Sequence, residues 1–331
     1  GLGIETVRAR QFRGIGRCHV GDLGGVQDLR EALRLSLDLG LGLETVRAHI
    51  NLGEAVWLDE GPGQALDVWR AGIDFADRRG IVALVSWASA QTLWALFDLG
   101  EWEELVRIAD EQISREQAHG QSYVTGLALP YKAHVLVRSG RVDQAAALAK
   151  EFLPLARSID DPQVLAPVLA VAALVEQARG NFSAALGLVE ELAEATRDPF
   201  RANQVMDAVR ICAAAGRLPL ARKLLDEVPV ALTRLRYVLL TGEAVVAEAE
   251  GHLGQAADQY AEAAERWRDY GHMPEQALAL LGLGRCLITL GRAGAEEPLR
   301  KAHDLLAAVG YEPALAETEA LLEQSAATPA S

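Results

Sequence analysis

The chain has 331 residues, half of them hydrophobic but only 5% aromatic, and carries a formal charge of −14. So acidic a surface repels phosphate backbones, which argues against direct nucleic-acid binding, and an Ala- and Leu-rich composition favours packed helices over a β-sandwich or barrel. Cys18, Cys212 and Cys286 stand far apart, form neither a zinc spacing nor a disulfide framework, and read as apolar core residues of a reducing, cytoplasmic compartment.

The first pattern, GLGIETVRARQFRGIGRCHV, is helical and ends at VGDLGG around Gly21. A second helical stretch follows at once, runs to Gly40, and the cycle begins again. The interrupting glycines are Gly21, Gly61, Gly100, Gly140, Gly180, Gly216, Gly251 and Gly291, at intervals of 40, 39, 40, 40, 36, 35 and 40 residues. Glycine reaches the left-handed conformation that ends a helix without a Cβ penalty, so the chain can reverse within a few residues. Five positions later usually stands a small or aliphatic residue, such as Leu105, Ala145 or Ala221, which lets the second helix approach the first. A looser break falls 19 or 20 residues after most of these glycines, at Gly40, Gly80, Gly120, Asp160, Pro199, Gly271 and Gly310. Inside the helices apolar residues recur at helical spacing, as in Leu99, Trp102, Leu105 and Val106. One pair cannot bury both of its apolar stripes, whereas stacked pairs share a continuous core. The pattern therefore predicts an all-α superhelix, a solenoid of about eight antiparallel helix pairs that forms a single domain over 1–322, with a disordered tail over 323–331.

The period slips once, in the sixth pair. LPLARKLLDEVPVAL, 218–232, is pinned between Pro219 and Pro229. Pro219 suits a first helical turn, but Pro229 cannot continue the helix. A helix of about ten residues is expected there, leaving 216–236 as a weak joint in the stack.

The pairs resemble tetratricopeptide (TPR) repeats, stretched beyond their usual period. More specifically, FRGIGRCHVGDLGGVQDLREALRLS (12–36) and INLGEAVWLDEGPGQALDVWRAGIDFADRRGI (50–81) resemble the C-terminal region of large actinobacterial signalling proteins. Those join a class III adenylate or guanylate cyclase domain, or a LuxR-type DNA-binding domain, to an AAA/STAND ATPase and a TPR-like array. The resemblance implies a regulatory sensor or interaction domain attached to such upstream parts. The chain begins without Met and reads as a piece of something larger. None of the catalytic motifs of those proteins occurs in it.

The chemistry-bearing motifs are missing too. DEGPGQ is no phosphate loop, GLGLG and LGLGRC do not follow strands, and there is no HExxH or GxSxG. No run of 18 apolar residues offers a membrane span. No enzyme activity, cofactor or metal is expected. In TPR-like stacks the first helix of each pair lines the concave face. Counting back from each glycine turn places Arg8, Gln11, Asn51, Trp87, Trp94, His134 and Arg138 there, and further on Gln177, Asn203, Met206, Arg210, Glu248 and Arg285. Asn51, Trp87, Trp94, His134 and Arg138 mix rings with polar groups and are the expected site for a protein, peptide or small effector. The bland alternative is that Trp87 and Trp94 fill the gap between pairs. Three readings stay open: a sensor domain of a larger ATP-dependent signalling or transcription-regulating protein, a free-standing interaction scaffold, and an unrecognised enzyme using groove side chains.

Overall fold

The computed structural model describes residues 2–117, 123–195 and 199–327. Among them are eighteen helices and no strand. Eight antiparallel pairs follow one another: α1 (Leu2–His19) with α2 (Gly24–Asp38), α3 (Gly42–Asp59) with α4 (Pro62–Arg78), α5 (Val85–Leu99) with α6 (Trp102–Gln117), and α7 (Tyr123–Arg138) with α8 (Val142–Ile159). The series continues with α9 (Pro162–Ala178) and α10 (Phe182–Ala195), then, after the single-turn α11 (Pro199–Ala202), α12 (Val205–Ala214) and α13 (Leu218–Asp226). The last pairs are α14 (Thr233–Ala249) with α15 (Leu253–Tyr270) and α16 (Met273–Thr289) with α17 (Glu296–Val309); α18 (Glu312–Ala327) caps the stack.

The glycine turns do what the repeat requires of them. All eight have positive φ, as do Gly40, Gly80, Gly271 and Gly310 and the non-glycine Asp160 at the looser breaks. At Gly100 the N–H of Glu101 reaches back to the Leu96 carbonyl and that of Gly100 to Phe97, which satisfies carbonyls that the helix end leaves open. Of the other expected breaks, Gly120 lies outside the described residues and Pro199 opens α11. The small residues five places after the glycines are buried, Leu105, Ala145, Ala185, Ala221 and Ala256 completely.

Two layers result. The first helices α1, α3, α5, α7, α9, α12, α14, α16 and α18 touch in succession, while the second helices pack mainly against them. Composition explains the difference. The α9 sequence PQVLAPVLAVAALVEQA is apolar on nearly every side and buries twelve residues, while α10 is amphipathic and buries one stripe of four.

The stack then meets itself. The turns leading into α14, α16 and α18 lie on the glycine turns of the first four pairs. A Cβ on Gly21 would collide with Ala231, one on Gly61 would lie 2.5 Å from the Tyr270 carbonyl oxygen, and one on Gly100 would lie 2.5 Å from Val309. Thr233 donates to Asp59 at 2.6 Å, and the Tyr270 hydroxyl donates to the Trp57 carbonyl. The seventh and eighth pairs thus form a second superhelical turn seated on the first.

In the sixth pair α13 has nine residues, against 14 to 18 in the other second helices, as the two prolines require. The segment after it is not loose, however. Leu232 is buried, and Ala231, Thr233 and Arg234 are tied to Gly21, Asp59 and Asp98. The tail also differs from expectation: 323–327 belong to α18, whose Ala314 and Thr318 are buried, and 328–331 lie outside the described residues.

Candidate functional site

The second turn fills the axis beside the first four pairs, and polar side chains make the joint. Asp98, near the end of α5, is fully buried and accepts from two donors, Trp57 Nε1 at 2.7 Å and Arg234 Nη1 at 2.5 Å, with His272 Nε2 lying 3.1 Å from its other oxygen. The Arg234 guanidinium also lies 4.2 Å from the centre of the Trp57 ring. Burial pushes the Asp98 carboxyl up to about 6, while Arg234 and the Trp57 N–H pull it back, so it stays ionised at neutral pH. His272 caps α16 by accepting from the Glu275 N–H through Nδ1, which leaves the proton on Nε2, facing Asp98. Burial holds its imidazole well below the usual range, with nearby arginines adding to the effect.

A second cluster adjoins the first. Arg138 donates through Nη2 to both oxygens of Asp207, at 2.9 and 2.8 Å, and through Nη1 to His134 Nδ1 at 2.6 Å. Burial and the Arg138 charge lower His134 to about 3, so the ring is neutral and its proton sits on Nε2. Burial alone would raise Asp207, but Arg138, His134 and Arg210 outweigh it and hold the carboxyl at about 2. Arg210 in turn binds Glu275 at 2.8 Å. Each buried charge has an opposite partner, as an interior requires.

This arrangement corrects the sequence-based site. Trp94, His134 and Arg138 do lie on first helices, but each is only 4% exposed. Trp94 packs among Trp57, Trp69 and Tyr131, with ring centres 5.1, 6.0 and 6.5 Å away. Asn51 and Trp87 are half-buried: Asn51 donates to Gln11 at 3.4 Å, and Trp87 packs beside Val46, Ile50 and Phe75. The five do not form one open site, because the groove of the first four pairs is occupied by the chain's own later helices.

Beyond the filled axis the concave face opens into a cavity of about 590 Å³ between α9, α12, α14, α16 and α18. Leu174, Val245, Leu278 and Leu281 form apolar wall, and Gln177, Arg210, Glu248 and Arg285 supply polar groups. The inward count had reached those four polar positions. It missed Tyr260 and Tyr311, which come from a second helix and from the turn before α18, although Tyr311 directly follows the break at Gly310. Arg285 donates to Glu248 at 2.5 and 2.9 Å and also pairs with Glu317, and the Tyr260 hydroxyl donates to Glu248 at 2.8 Å. Asp207 and Arg210 connect this wall to the buried network.

The three thiols are buried and apart; burial raises Cys18 and Cys212 to about 11 and Cys286 to about 12, which keeps them protonated. Among the described residues no group of three or more His, Cys, Asp or Glu could hold a metal ion, and no helix is long and apolar enough to cross a membrane.

No family model and no curated protein sequence matches the chain. Solved structures do. A chain of the APC/C hetero-tetramer Cut9–Hcn1 is similar over 90% of this chain, with 15% identity and a TM-score of 0.51. This chain spans only 59% of that one. A Rap protein complexed with competence and sporulation factor is 12% identical, with coverage of 87% and 99% and a TM-score of 0.48. A tetratricopeptide repeat protein from Parabacteroides merdae ATCC 43184 is 12% identical, with coverage of 91% and 98% and a TM-score of 0.42. At such identities the likeness is one of fold. The chain has the all-α superhelical fold of TPR-like solenoids.

Proposed function

We propose that the chain is a regulatory sensor or interaction domain that takes a short peptide or small effector in the cavity of its C-terminal half. The cavity itself carries the reading: its volume of about 590 Å³ falls in the range of small-molecule sites, and apolar wall beside a few fixed polar groups is how such sites combine affinity with orientation. His134 and Arg138 serve this site indirectly, since Arg138, held by His134, donates to Asp207 in the cavity wall. The resemblance of 12–81 to actinobacterial signalling proteins supports placing the domain beside an ATPase, cyclase or DNA-binding part. A ligand bridging α9, α12, α14, α16 and α18 would stiffen that half of the stack, a change an attached domain can sense.

The test is a thermal-shift screen with short peptides and metabolites, because a ligand that binds only the folded state raises Tm by mass action. Ala249 is exposed and lines the cavity. The substitution Ala249→Trp should abolish any shift while leaving the free protein's Tm little changed. A ligand that shifts wild type and A249W equally binds elsewhere, and the reading fails.

A further inference from the structure

The molecule already shows how one of its edges fits the other. Turns within pairs lie along one edge of the solenoid and turns between pairs along the opposite edge. In the intramolecular contact, between-pair turns of the second superhelical turn (Ala231, Tyr270 to Met273, Val309) sit on within-pair glycine turns of the first (Gly21, Gly61, Gly100). One edge of each kind remains uncovered. The within-pair turns of the later pairs are open: no atom lies within 4 Å of a Cβ built on Gly180, Gly216, Gly251 or Gly291. The turns between the first and second and between the second and third pairs are exposed and carry apolar side chains. Of nine exposed large hydrophobic side chains among the described residues, Leu37, Leu39, Leu43 and Val82 belong to this edge, and Val82 is 87% exposed. Gly42 meets Ile81 across the gap between the two turns, so these residues form one row. On the opposite, open edge Phe182 is also exposed, beside Gly180.

We propose that a second copy of this chain docks head to tail, its Leu39–Val82 edge on the Gly180–Gly216 edge with Phe182 at the contact. The occupant is a second copy because the two uncovered edges are of the same two kinds that the chain already joins within itself. Stacking one copy on another continues that contact in the same register of turn upon turn. The interface is heterologous, so an assembly of any length keeps one free edge of each kind at its ends and grows as an open chain. The charge of −14 per copy opposes association, and salt should strengthen it.

Sedimentation velocity over the micromolar range tests this. Wild type should show a mass that rises with concentration without a plateau, and more steeply at higher salt. Val82→Glu and Phe182→Glu, both at exposed positions, should each be about tenfold or more weaker in self-association, with unchanged circular dichroism and Tm. An equimolar mixture of V82E and F182E should form a 1:1 dimer and stop there, since each variant keeps the edge that the other lacks. A monomeric wild type at every concentration overturns the proposal. So does a symmetric dimer that survives in either variant alone, or a mixture that stays monomeric.

Discussion

Two donors and a neighbouring imidazole on one buried carboxylate make Asp98 the residue on which the two superhelical turns agree. Removing it leaves the Arg234 guanidinium buried without a carboxylate, and breaking a buried pair on one side costs roughly 3–5 kcal/mol. Asp98→Ala should therefore lower the urea midpoint strongly, and Asp98→Asn, which keeps an acceptor for Trp57, should lower it less. The two neutral imidazoles set the pH dependence. His134 titrates near 3 in the fold and His272 well below its ordinary value, while both return to about 6.5 on unfolding. A depressed pKa stabilises fully above the unfolded value, and that contribution is lost as pH falls from about 6.5, at up to about 1.4 kcal/mol per unit for each ring. Asp98 acts in the opposite sense between about 6 and 3.8, because its carboxyl is raised in the fold. Two rings against one carboxyl give net loss, so the urea midpoint should drop between pH 7 and 5. The slope should shrink in His134→Asn, which keeps an acceptor for Arg138 without the titration; an unchanged slope would mean that His134 is not buried and neutral. The sequence located Trp94, His134 and Arg138 on the inner face, since that follows from helical phase alone. It offered burial of Trp94 only as the bland alternative and gave no sign of it for His134 and Arg138, because their covering partners come from other pairs, 25 to 73 residues away, and no local pattern encodes that approach.

At the scale of the element, the glycine turns were the most legible feature, for each is both a break in helical periodicity and a positive-φ position that only glycine takes without strain. What the repeat hides is that these glycines are not equivalent. Gly100 and Gly251 have nearly the same φ, 78° and 82°. An added methyl on Gly251 meets nothing, whereas on Gly100 it meets Val309 at 2.5 Å and Met273 Sδ at 3.0 Å. Gly251→Ala should cost only the conformational term, about 1–2 kcal/mol. Gly100→Ala adds overpacking of roughly 1–3 kcal/mol. Equal losses in chemical denaturation would show that the second turn does not rest on the first. The short α13 was legible for the same local reason, since Pro219 and Pro229 bound it. The looseness expected after it was not, because the ties of Thr233 and Arg234 are long-range. Amide exchange should accordingly be faster over 218–227 than over 232–236.

For the whole molecule, the contact between turns changes how stability is distributed. An ordinary solenoid is nearly one-dimensional: each repeat feels only its neighbours, and a defect spreads by one unit at a time. Here Arg234 in the seventh pair binds Asp98 in the third, 136 residues earlier, and His272 in the eighth lies 3.1 Å from the same carboxylate. A disturbance in α14 therefore has a direct route to α5 that bypasses α7, α9 and α12. Replacing Arg234 by Met removes the ion pair and the contact with the Trp57 ring but keeps an unbranched apolar stem. Asp98 then retains only Trp57 as a donor and is desolvated with no guanidinium beside it. The last turn of α5 should open more often, and the amides of Gly100 and Glu101, which close that turn onto Phe97 and Leu96, should report it. Hydrogen exchange in Arg234→Met should show lost protection at 96–102 greater than that in α9, although α9 lies nearer to α14 along the stack. A loss that stays within α12 to α16 and fades steadily with distance along the chain would mean that the repeats behave as a one-dimensional array and that the turns are not energetically joined.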